Sequence, residues 1–215
     1  MKQYAVIGLG RFGSSVARTL YGMGYDVLAV DSDEAKVQAM ADEVTHAVQA
    51  DATDEEALKS LGIRNFDVVV VSIGTDIQAS IMATLVLKDL GVPYIVAKAL
   101  NELHGKVLEK IGADRVVYPE RDMGIRVANN LVSANMLDYI ELAPGYSIAE
   151  FVAPKEFVGK TLRQLGFRAK YGINIMAIKH GDEIQVSPGA DDKVQENDIL
   201  IAMGPDEQLE ALERA

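Results

Sequence analysis

The stretch Tyr4-Ala5-Val6-Ile7-Gly8-Leu9-Gly10-Arg11-Phe12-Gly13 decides the fold of this 215-residue chain. Its first four residues predict a short buried strand, and the glycine-rich run predicts a tight turn into a helix. Gly8 permits the turn, Gly10 lets a pyrophosphate approach the backbone, and Gly13 lets the helix pack closely on the sheet. The helix N-terminus adds amide donors and the positive end of a dipole. The stretch therefore predicts a nucleotide-binding turn of a Rossmann-type fold.

Short β-branched runs alternate with amphipathic segments on the C-terminal side of this turn, up to about residue 132. This alternation predicts an α/β fold with a doubly wound, Rossmann-type parallel sheet of six strands. The predicted strands lie at 4–7, 26–30, 47–49, 68–72, 94–98 and 115–118. The predicted helices between them lie at 12–21, 34–43, 55–61, 77–90 and 102–111.

Helix-capping residues support these boundaries. Glycines follow four of the predicted helices, where a left-handed cap residue is favoured; they are Gly24, Gly62, Gly91 and Gly112. Side chains that accept hydrogen bonds from a first helical turn precede four helices; they are Asp33, Asp54, Asp76 and Asn101.

A sixth helix is predicted at 121–137, with an apolar stripe that we expect to pack against another element or subunit. The segment 141–145 breaks the alternation, and four further strands are predicted at 147–152, 173–179, 183–186 and 199–203. We therefore expect a first domain over 1–140, which includes this crossover helix, and a smaller α+β domain over 145–215.

Composition excludes several classes of function. The formal net charge of −11 disfavours nucleic acid and anionic membrane surfaces as partners. The chain has no cysteine, which excludes disulfides and thiolate metal sites and agrees with a cytoplasmic location. No apolar run approaches the length of a membrane-spanning helix, so we expect no insertion into a membrane and any membrane role to act through a partner.

Polar residues at predicted strand ends suggest how a nucleotide is held. Asp31 ends the second strand, where a carboxylate accepts hydrogen bonds from ribose hydroxyls, and this leaves NAD and a plain adenine nucleotide as alternatives. Asp51, after the third strand, is placed near the adenine or its ribose, or is only a cap. The segment 72–75 closes the fourth strand at the switch point of the sheet, where its amides suit phosphate or ribose.

Two charged residues allow a functional and an ordinary interpretation. Arg11 either points at phosphate, including that of a neighbouring subunit, or is a solvated loop arginine. Glu120 either faces phosphates through Mg²⁺ or Ca²⁺, or is a first-turn helix acid.

Catalysis has little support in the sequence. His46, His104 and His180 are scattered and form no paired metal or nucleophile motif. We expect no enzyme, and a small NAD-dependent oxidoreductase is the alternative.

The motifs at 4–13, Asp31-Ser32-Asp33, Asp51-Ala52-Thr53, 111–114 and Pro119-Glu120-Arg121 resemble the RCK (regulator of potassium conductance) or KTN family. Within it, the chain looks most like the cytosolic regulatory subunits of bacterial Ktr-type potassium uptake systems. The resemblance extends through the segments 168–175 and 196–200 of the predicted second domain.

This resemblance implies a regulatory subunit that binds ATP or ADP, with NAD(H) in some relatives, and gates a membrane potassium transporter. It implies dimers assembled into an octameric ring at the inner face of the cell membrane. It also implies that Arg11 reaches phosphate across the dimer and that Glu120 helps to hold Mg²⁺ or Ca²⁺ between subunits. The predicted nucleotide site comprises Gly8, Gly10, Arg11, Phe12, Gly13, Asp31, Ser32, Asp51, Ala52, Thr53, Ser72, Ile73, Gly74, Lys98 and Glu120.

A second ligand site is predicted in the smaller domain, with cyclic di-AMP as the candidate ligand. Arg168 and Lys170 place two cations beside a strand in an acidic chain, which suits phosphate. Asn174 is able to read an adenine edge, while Ile175 and Pro188 offer an apolar wall. A two-fold dimer would supply the same groups to each half of this symmetric ligand. Alternatively, the two cations only offset nearby acids.

Overall fold

The computed structural model describes residues 2–132 and 136–213, and the chain divides into two compact units, Met1–Arg121 and Asp122–Ala215. The strands of the first unit are β1 (Gln3–Ile7), β2 (Asp26–Asp31), β3 (His46–Gln49), β4 (Val68–Val71), β5 (Ile95–Lys98) and β6 (Arg115–Val117). Its helices are α1 (Arg11–Gly22), α2 (Glu34–Met40), α3 (Glu55–Ser60), α4 (Ile77–Asp89) and α5 (Glu102–Lys110), with a 3-10 turn at Ile63–Asn65. Helix α6 (Pro119–Val132) begins in this unit and continues into the next.

The first unit is built on one parallel sheet of order β3-β2-β1-β4-β5-β6. The strand order reverses between β1 and β4, and the predicted six-strand Rossmann-type sheet is confirmed. Its central strands are buried on both faces, because helices cover each side. In β1, for example, Ala5 and Ile7 belong to one apolar cluster and Val6 belongs to another.

The predicted helix caps are present. All four predicted N-cap side chains accept hydrogen bonds from backbone amides of their helices. The four glycines that follow helices all have positive φ, between 65° and 106°. Helices α3, α4 and α5 carry both signals, which mark where they start and stop, whereas α1 carries only the glycine and α2 only the N-cap side chain.

The second unit is a five-stranded antiparallel sheet with short helices. Its strands are β7 (Met136–Ala143), β8 (Tyr146–Val152), β9 (Asn174–His180), β10 (Glu183–Val186) and β11 (Ile199–Pro205), in the order β10-β9-β11-β8-β7. Its further helices are α7 (Leu162–Leu165), α8 (Phe167–Tyr171) and α9 (Asp206–Glu213), with a 3-10 turn at Lys155–Phe157. One face of the sheet carries the apolar core, which includes Phe151, Phe167 and Leu200. The predicted α+β class of the smaller second domain is confirmed.

One prediction at the junction of the units was wrong. The sixth helix was expected over 121–137. Helix α6 is described over Pro119–Val132, positions 133–135 of the prediction lie outside the described residues, and Met136–Ala143 is strand β7, paired antiparallel with β8. Pro144-Gly145 forms the hairpin turn between these strands, with Gly145 at φ 82°. This sheet therefore begins before the predicted domain break at 141–145. The apolar residues of β7 fitted a helical stripe by chance, and only their pairing with β8 distinguishes the two structures.

Among the described residues, no helix has both the length and the apolar character needed to span a bilayer.

Candidate functional site

A cavity of about 460 Å³ lies at the carboxyl ends of the parallel strands of the first unit. It is lined by residues that follow β1 to β5 and by the start of α6. The switch point between β1 and β4, where ligands of such sheets bind, lies at this edge. The residues predicted from sequence that line the cavity are Gly8, Gly10, Arg11, Phe12, Asp31, Ser32, Asp51, Ala52, Thr53, Ser72, Ile73, Gly74, Lys98 and Glu120. Gly13 is the predicted site residue that does not line it.

The three glycines of the first turn are required for three different reasons. Gly8 has φ 91°, which disfavours any side chain. A Cβ atom on Gly13 would collide with the backbone oxygen of Gly8 and with Ser72 Oγ, so Gly13 allows α1 to pack against the sheet. A Cβ atom on Gly10 would meet no protein atom within 4 Å. Folding therefore does not require a glycine at position 10, and its open space is available to a ligand.

Asp31 holds the turn in place. Its carboxylate is 8% exposed and accepts hydrogen bonds from Leu9 N at 2.6 Å and from Asp33 N at 2.9 Å. Lys36 Nζ lies 3.4 Å from both carboxylate oxygens. These four contacts match the roughly four acceptor positions of an ionised carboxylate, so a ribose hydroxyl would have to replace a Lys36 contact, which at 3.4 Å is the longest of them.

The loops after β3 and β4 complete the walls of the cavity. Asp51 Oδ1 accepts hydrogen bonds from Thr53 N at 2.9 Å and Thr53 Oγ1 at 2.8 Å, and the backbone bond is the main cause that lowers the pKa of Asp51. Ser72 Oγ donates to the backbone oxygen of Gly8, so the β4 loop is tied to the glycine turn. Asp51 thus both lines the cavity and accepts the hydrogen bonds of its own turn, so its position agrees with both interpretations of this residue.

Lys98 and Glu120 form an ion pair inside the cavity. Lys98 is 7% exposed, ends β5, and its ammonium donates to Glu120 Oε1. The ammonium also lies 5.9 Å from the centroid of the Phe12 ring, within the range of a cation–π contact. The hydrogen bond from Lys98 is the main cause that lowers the pKa of Glu120, so this carboxylate is ionised at neutral pH.

Arg11 differs from the other cations of the cavity. Lys36 and Lys98 are each paired with a carboxylate, whereas Arg11 forms no ion pair with any residue that the structure describes. Arg11 is exposed at the first position of α1. Its guanidinium is thus available to an anion.

Lys36 is the main residue of the cavity that the sequence predictions missed. It lies in the first turn of α2, where a positive charge is disfavoured by the helix dipole. This unfavourable position was a signal that the lysine has another role. The other lining residues outside the predicted set are Ile7, Ala50, Thr75, Asp76, Ala79 and Leu100.

The divalent cation expected at Glu120 has no site built by the described residues of this chain. Residues 2–132 and 136–213 contain no group of three histidine, aspartate or glutamate residues able to hold a metal ion. Glu120 already has a cationic partner in Lys98. On the donors present, one chain alone does not fit Mg²⁺ or Ca²⁺.

The predicted second site lies partly assembled in the second unit. Arg168 Nη2 and Nε donate to Asn174 Oδ1 at 2.7 and 3.0 Å, across the junction of α8 and β9. Ile175 packs against the apolar core, and the Lys170 side chain runs back over Gly166. Pro188 follows β10, next to Ser187, whose amide donates to Met176 O. The structure thus brings Arg168 and Asn174 together, and places Pro188 near the strand that carries Ile175.

The TrkA-N domain family matches residues 4–119, and the TrkA-C domain family matches residues 147–215. This chain belongs to the TrkA-N family. A relative in Bacillus subtilis (strain 168), the Ktr system potassium uptake protein C, is 55% identical over 203 residues, which are 94% of this chain and 92% of the relative. The resemblance to RCK and Ktr-type proteins is confirmed, and kinship with transport proteins confirms the expectation that this TrkA-N member is not an enzyme.

Two solved structures share the fold and contain nucleotides. The GsuK channel bound to NAD is 26% identical with a TM-score of 0.56, and the alignment covers 100% of this chain and 38% of that channel. The GsuK structure bound to ADP is 29% identical with a TM-score of 0.53, over 61% of this chain and 34% of that one. The chain spans less than half of the length of these channels.

Proposed function

We propose that the chain is an ATP- and ADP-binding regulatory subunit that gates a membrane potassium transporter. The observation that carries this proposal is the convergence of the glycine turn, Asp31, Arg11 and Lys98 on one cavity, in a member of a family of potassium uptake proteins. The cavity combines an acceptor for ribose with cations and free amides for phosphate, which are the groups that a nucleotide needs.

The ribose and phosphates are assigned to opposite sides of the cavity. Asp31 receives the ribose hydroxyls, with Ser32 and the Asp51-Ala52-Thr53 turn beside the base. The phosphates lie against Gly10 and the first turn of α1, near Ser72, Ile73 and Gly74. The open space at Gly10 supports this orientation, since a pyrophosphate needs direct access to the backbone there.

Adenine nucleotides are favoured over NAD(H) by the cations at the phosphate end. Arg11 and Lys98 line this end of the cavity, and a chain of terminal phosphates offers them more charge than the diphosphate bridge of NAD. NAD(H) remains a second ligand of the proposal, since a related channel carries it.

A membrane partner and a homo-oligomer complete the proposed assembly. We propose dimers that form an octameric ring on the cytoplasmic side of the membrane, beneath a potassium-translocating subunit. Helix α6 supports a contact with another chain, because large apolar residues stay exposed along it. These residues are Met123, Ile125, Val127 and Leu131. Within such a dimer, a divalent cation at Glu120 would need ligands from the neighbouring chain or from ligand phosphates, since the described residues of one chain supply too few.

Binding is tested by titration calorimetry with ATP, ADP and NADH on the purified chain. We expect saturable binding of ATP and ADP, weaker binding of NADH, and no hydrolysis or hydride transfer. Gly10→Val should fold normally and lose ATP, because its Cβ atom would meet no protein atom within 4 Å and its side chain would enter the open space assigned to the ligand. Gly22→Val in the last turn of α1, where a Cβ atom also meets nothing within 4 Å, is the matched control. Normal ATP binding by Gly10→Val would reject the site.

Gating is tested by potassium uptake in cells that lack the chain. Wild-type protein should restore uptake and Gly10→Val should not, at equal protein levels. Equal uptake with both proteins would reject nucleotide gating even if nucleotide binding is real.

A second site for cyclic di-AMP in the second unit is part of the proposal. The contact of Arg168 with Asn174 supports it, since it places a cation for phosphate beside an amide. Arg168 occupies the Oδ1 acceptor of Asn174, which leaves the Nδ2 amino group to donate to an adenine ring nitrogen. Titration of the full-length chain should give one cyclic di-AMP per two chains, and Arg168→Ala should abolish it. Arg163→Ala, which removes an exposed arginine paired with Asp191, is the control. A stoichiometry of one ligand per chain would reject a site shared across a two-fold axis.

A further inference from the structure

We propose, on the basis of the nucleotide site above, that Lys98 and Glu120 form a charge lock: Glu120 holds the buried ammonium until a ligand phosphate displaces it. Whether the ion pair is closed or open then depends on the negative charge of the bound ligand. A nucleotide with more phosphate charge opens the lock more completely than a ligand with less.

The two partners have very different environments. The Lys98 side chain is 9% exposed, whereas the Glu120 side chain is 67% exposed. A buried ammonium without an anionic partner is strongly unfavourable, so Lys98 always requires one. The exposed carboxylate, in contrast, is readily solvated when the pair breaks. The lock therefore opens by movement of Glu120, while Lys98 stays in place.

The ammonium lies where the phosphates of a nucleotide arrive. A Cβ atom on Gly74 would lie 3.4 Å from Lys98 Nζ, so the ammonium abuts the loop after β4. The Phe12 ring places it beside the glycine turn as well. Phosphate and carboxylate thus compete for one cation from within the same cavity.

The released carboxylate belongs to the first turn of α6. Glu120 is the second residue of this helix, which begins in the first unit and continues into the second. A free carboxylate there stays favourable, because the N-terminal turn of a helix attracts negative charge. The pair therefore links the charge of the ligand to the start of the helix that joins the two units.

A double-mutant cycle on the full-length chain tests the lock, with ATP affinity measured by calorimetry in EDTA to remove divalent cations. Glu120→Gln removes the competitor and should raise ATP affinity about fivefold. Lys98→Met removes the contested cation and should lower it at least about tenfold. In the Lys98→Met background, Glu120→Gln should change ATP affinity less than about twofold, because nothing is left to compete for.

Asp76→Asn is the matched control, since it removes another carboxylate of the same cavity and asparagine also caps helices. Its effect on ATP affinity should be the same with and without Lys98. Lys98→Gln repeats the cycle if Lys98→Met fails to fold by circular dichroism.

A decrease of ATP affinity in Glu120→Gln, or an equal increase in both backgrounds, would overturn the lock while leaving the nucleotide site intact. No binding of ATP by the wild-type chain would overturn the proposed function, and the lock with it.

Discussion

The two units place their polar residues in opposite ways. In the first unit all six strands run parallel, so their carboxyl ends share one edge, and loops distant in sequence line one cavity. In the second unit the strands alternate in direction, so strand ends are divided between two edges of the sheet. Its predicted ligand residues meet only where α8 joins β9. A parallel sheet brings residues from several distant loops to one edge, where they form one site. An antiparallel sheet builds a site from residues that are close in sequence or from a second chain.

The largest expected effect is a difference in the free energy of unfolding between alanine substitutions at one tightly packed glycine of each unit. A methyl group on Gly13 meets the backbone of Gly8, which cannot move without disrupting the turn. A methyl group on Gly204 meets Ile173 Cγ2 at 2.5 Å, a contact that rotation of the side chain relieves, while Ile173 Cβ and Cα at 3.1 and 3.3 Å need only a small shift. Gly13→Ala should lower the free energy of unfolding by about 3 kcal/mol and Gly204→Ala by about 1 kcal/mol, as measured by urea denaturation. An equal decrease in the free energy of unfolding for both variants would contradict the expectation that the backbone contact of Gly13 is the less tolerant of the two.

Asp31 tests whether the first unit holds its ligand through the turn. Asp31→Asn replaces the charged acceptor of Leu9 N and of the ribose, and should lower ATP and ADP affinity about tenfold. Asp33→Asn is the control, because it retains a cap for α2 and lies outside the cavity. Calorimetry should show an unchanged affinity for the control. Equal affinities of both variants would remove Asp31 from the site.

Arg11 tests how far the first unit discriminates between its nucleotides. If its guanidinium reaches the terminal phosphate, Arg11→Ala should lower ATP affinity about fivefold more than ADP affinity. Arg18→Ala on the same helix is the control, since Arg18 is paired with Glu43. Equal losses for ATP and ADP would make Arg11 an ordinary loop arginine.

The smallest effect concerns His104, a buried histidine of the first unit. Burial lowers its pKa, and its Nε2 has no hydrogen-bond partner in the described part of the chain. The buried histidine in the folded state binds a proton less readily than the same histidine in the unfolded chain. The free energy of unfolding is therefore highest above the ordinary histidine pKa of about 6.5, and it falls as the pH decreases below that value. His104→Asn should reduce this pH dependence in urea denaturation between pH 7.5 and 5.5. His46→Asn, at an exposed histidine, should leave it unchanged.

Several features were predictable because their causes are local. The glycine turn, the four N-caps and the positive-φ glycines each depend on neighbouring residues, and all lie where the sequence placed them. Strand β7 was not predictable in this way, since its apolar residues fit a helix as well as a strand until β8 pairs with it.

The sequence by itself determined the parallel architecture, because alternating strand and helix patterns allow few other arrangements. It also determined the edge of the sheet at which the cavity lies, since every loop after a strand of the parallel sheet reaches the same side. Only the tertiary structure decided which charges meet there. Lys98 is paired with Glu120, and Lys36 is turned to Asp31, whereas Arg11 stays unpaired among the described residues. The physical reason is that an ion pair depends on distances of a few ångströms between separate loops, and the packing of the helices on the sheet sets those distances.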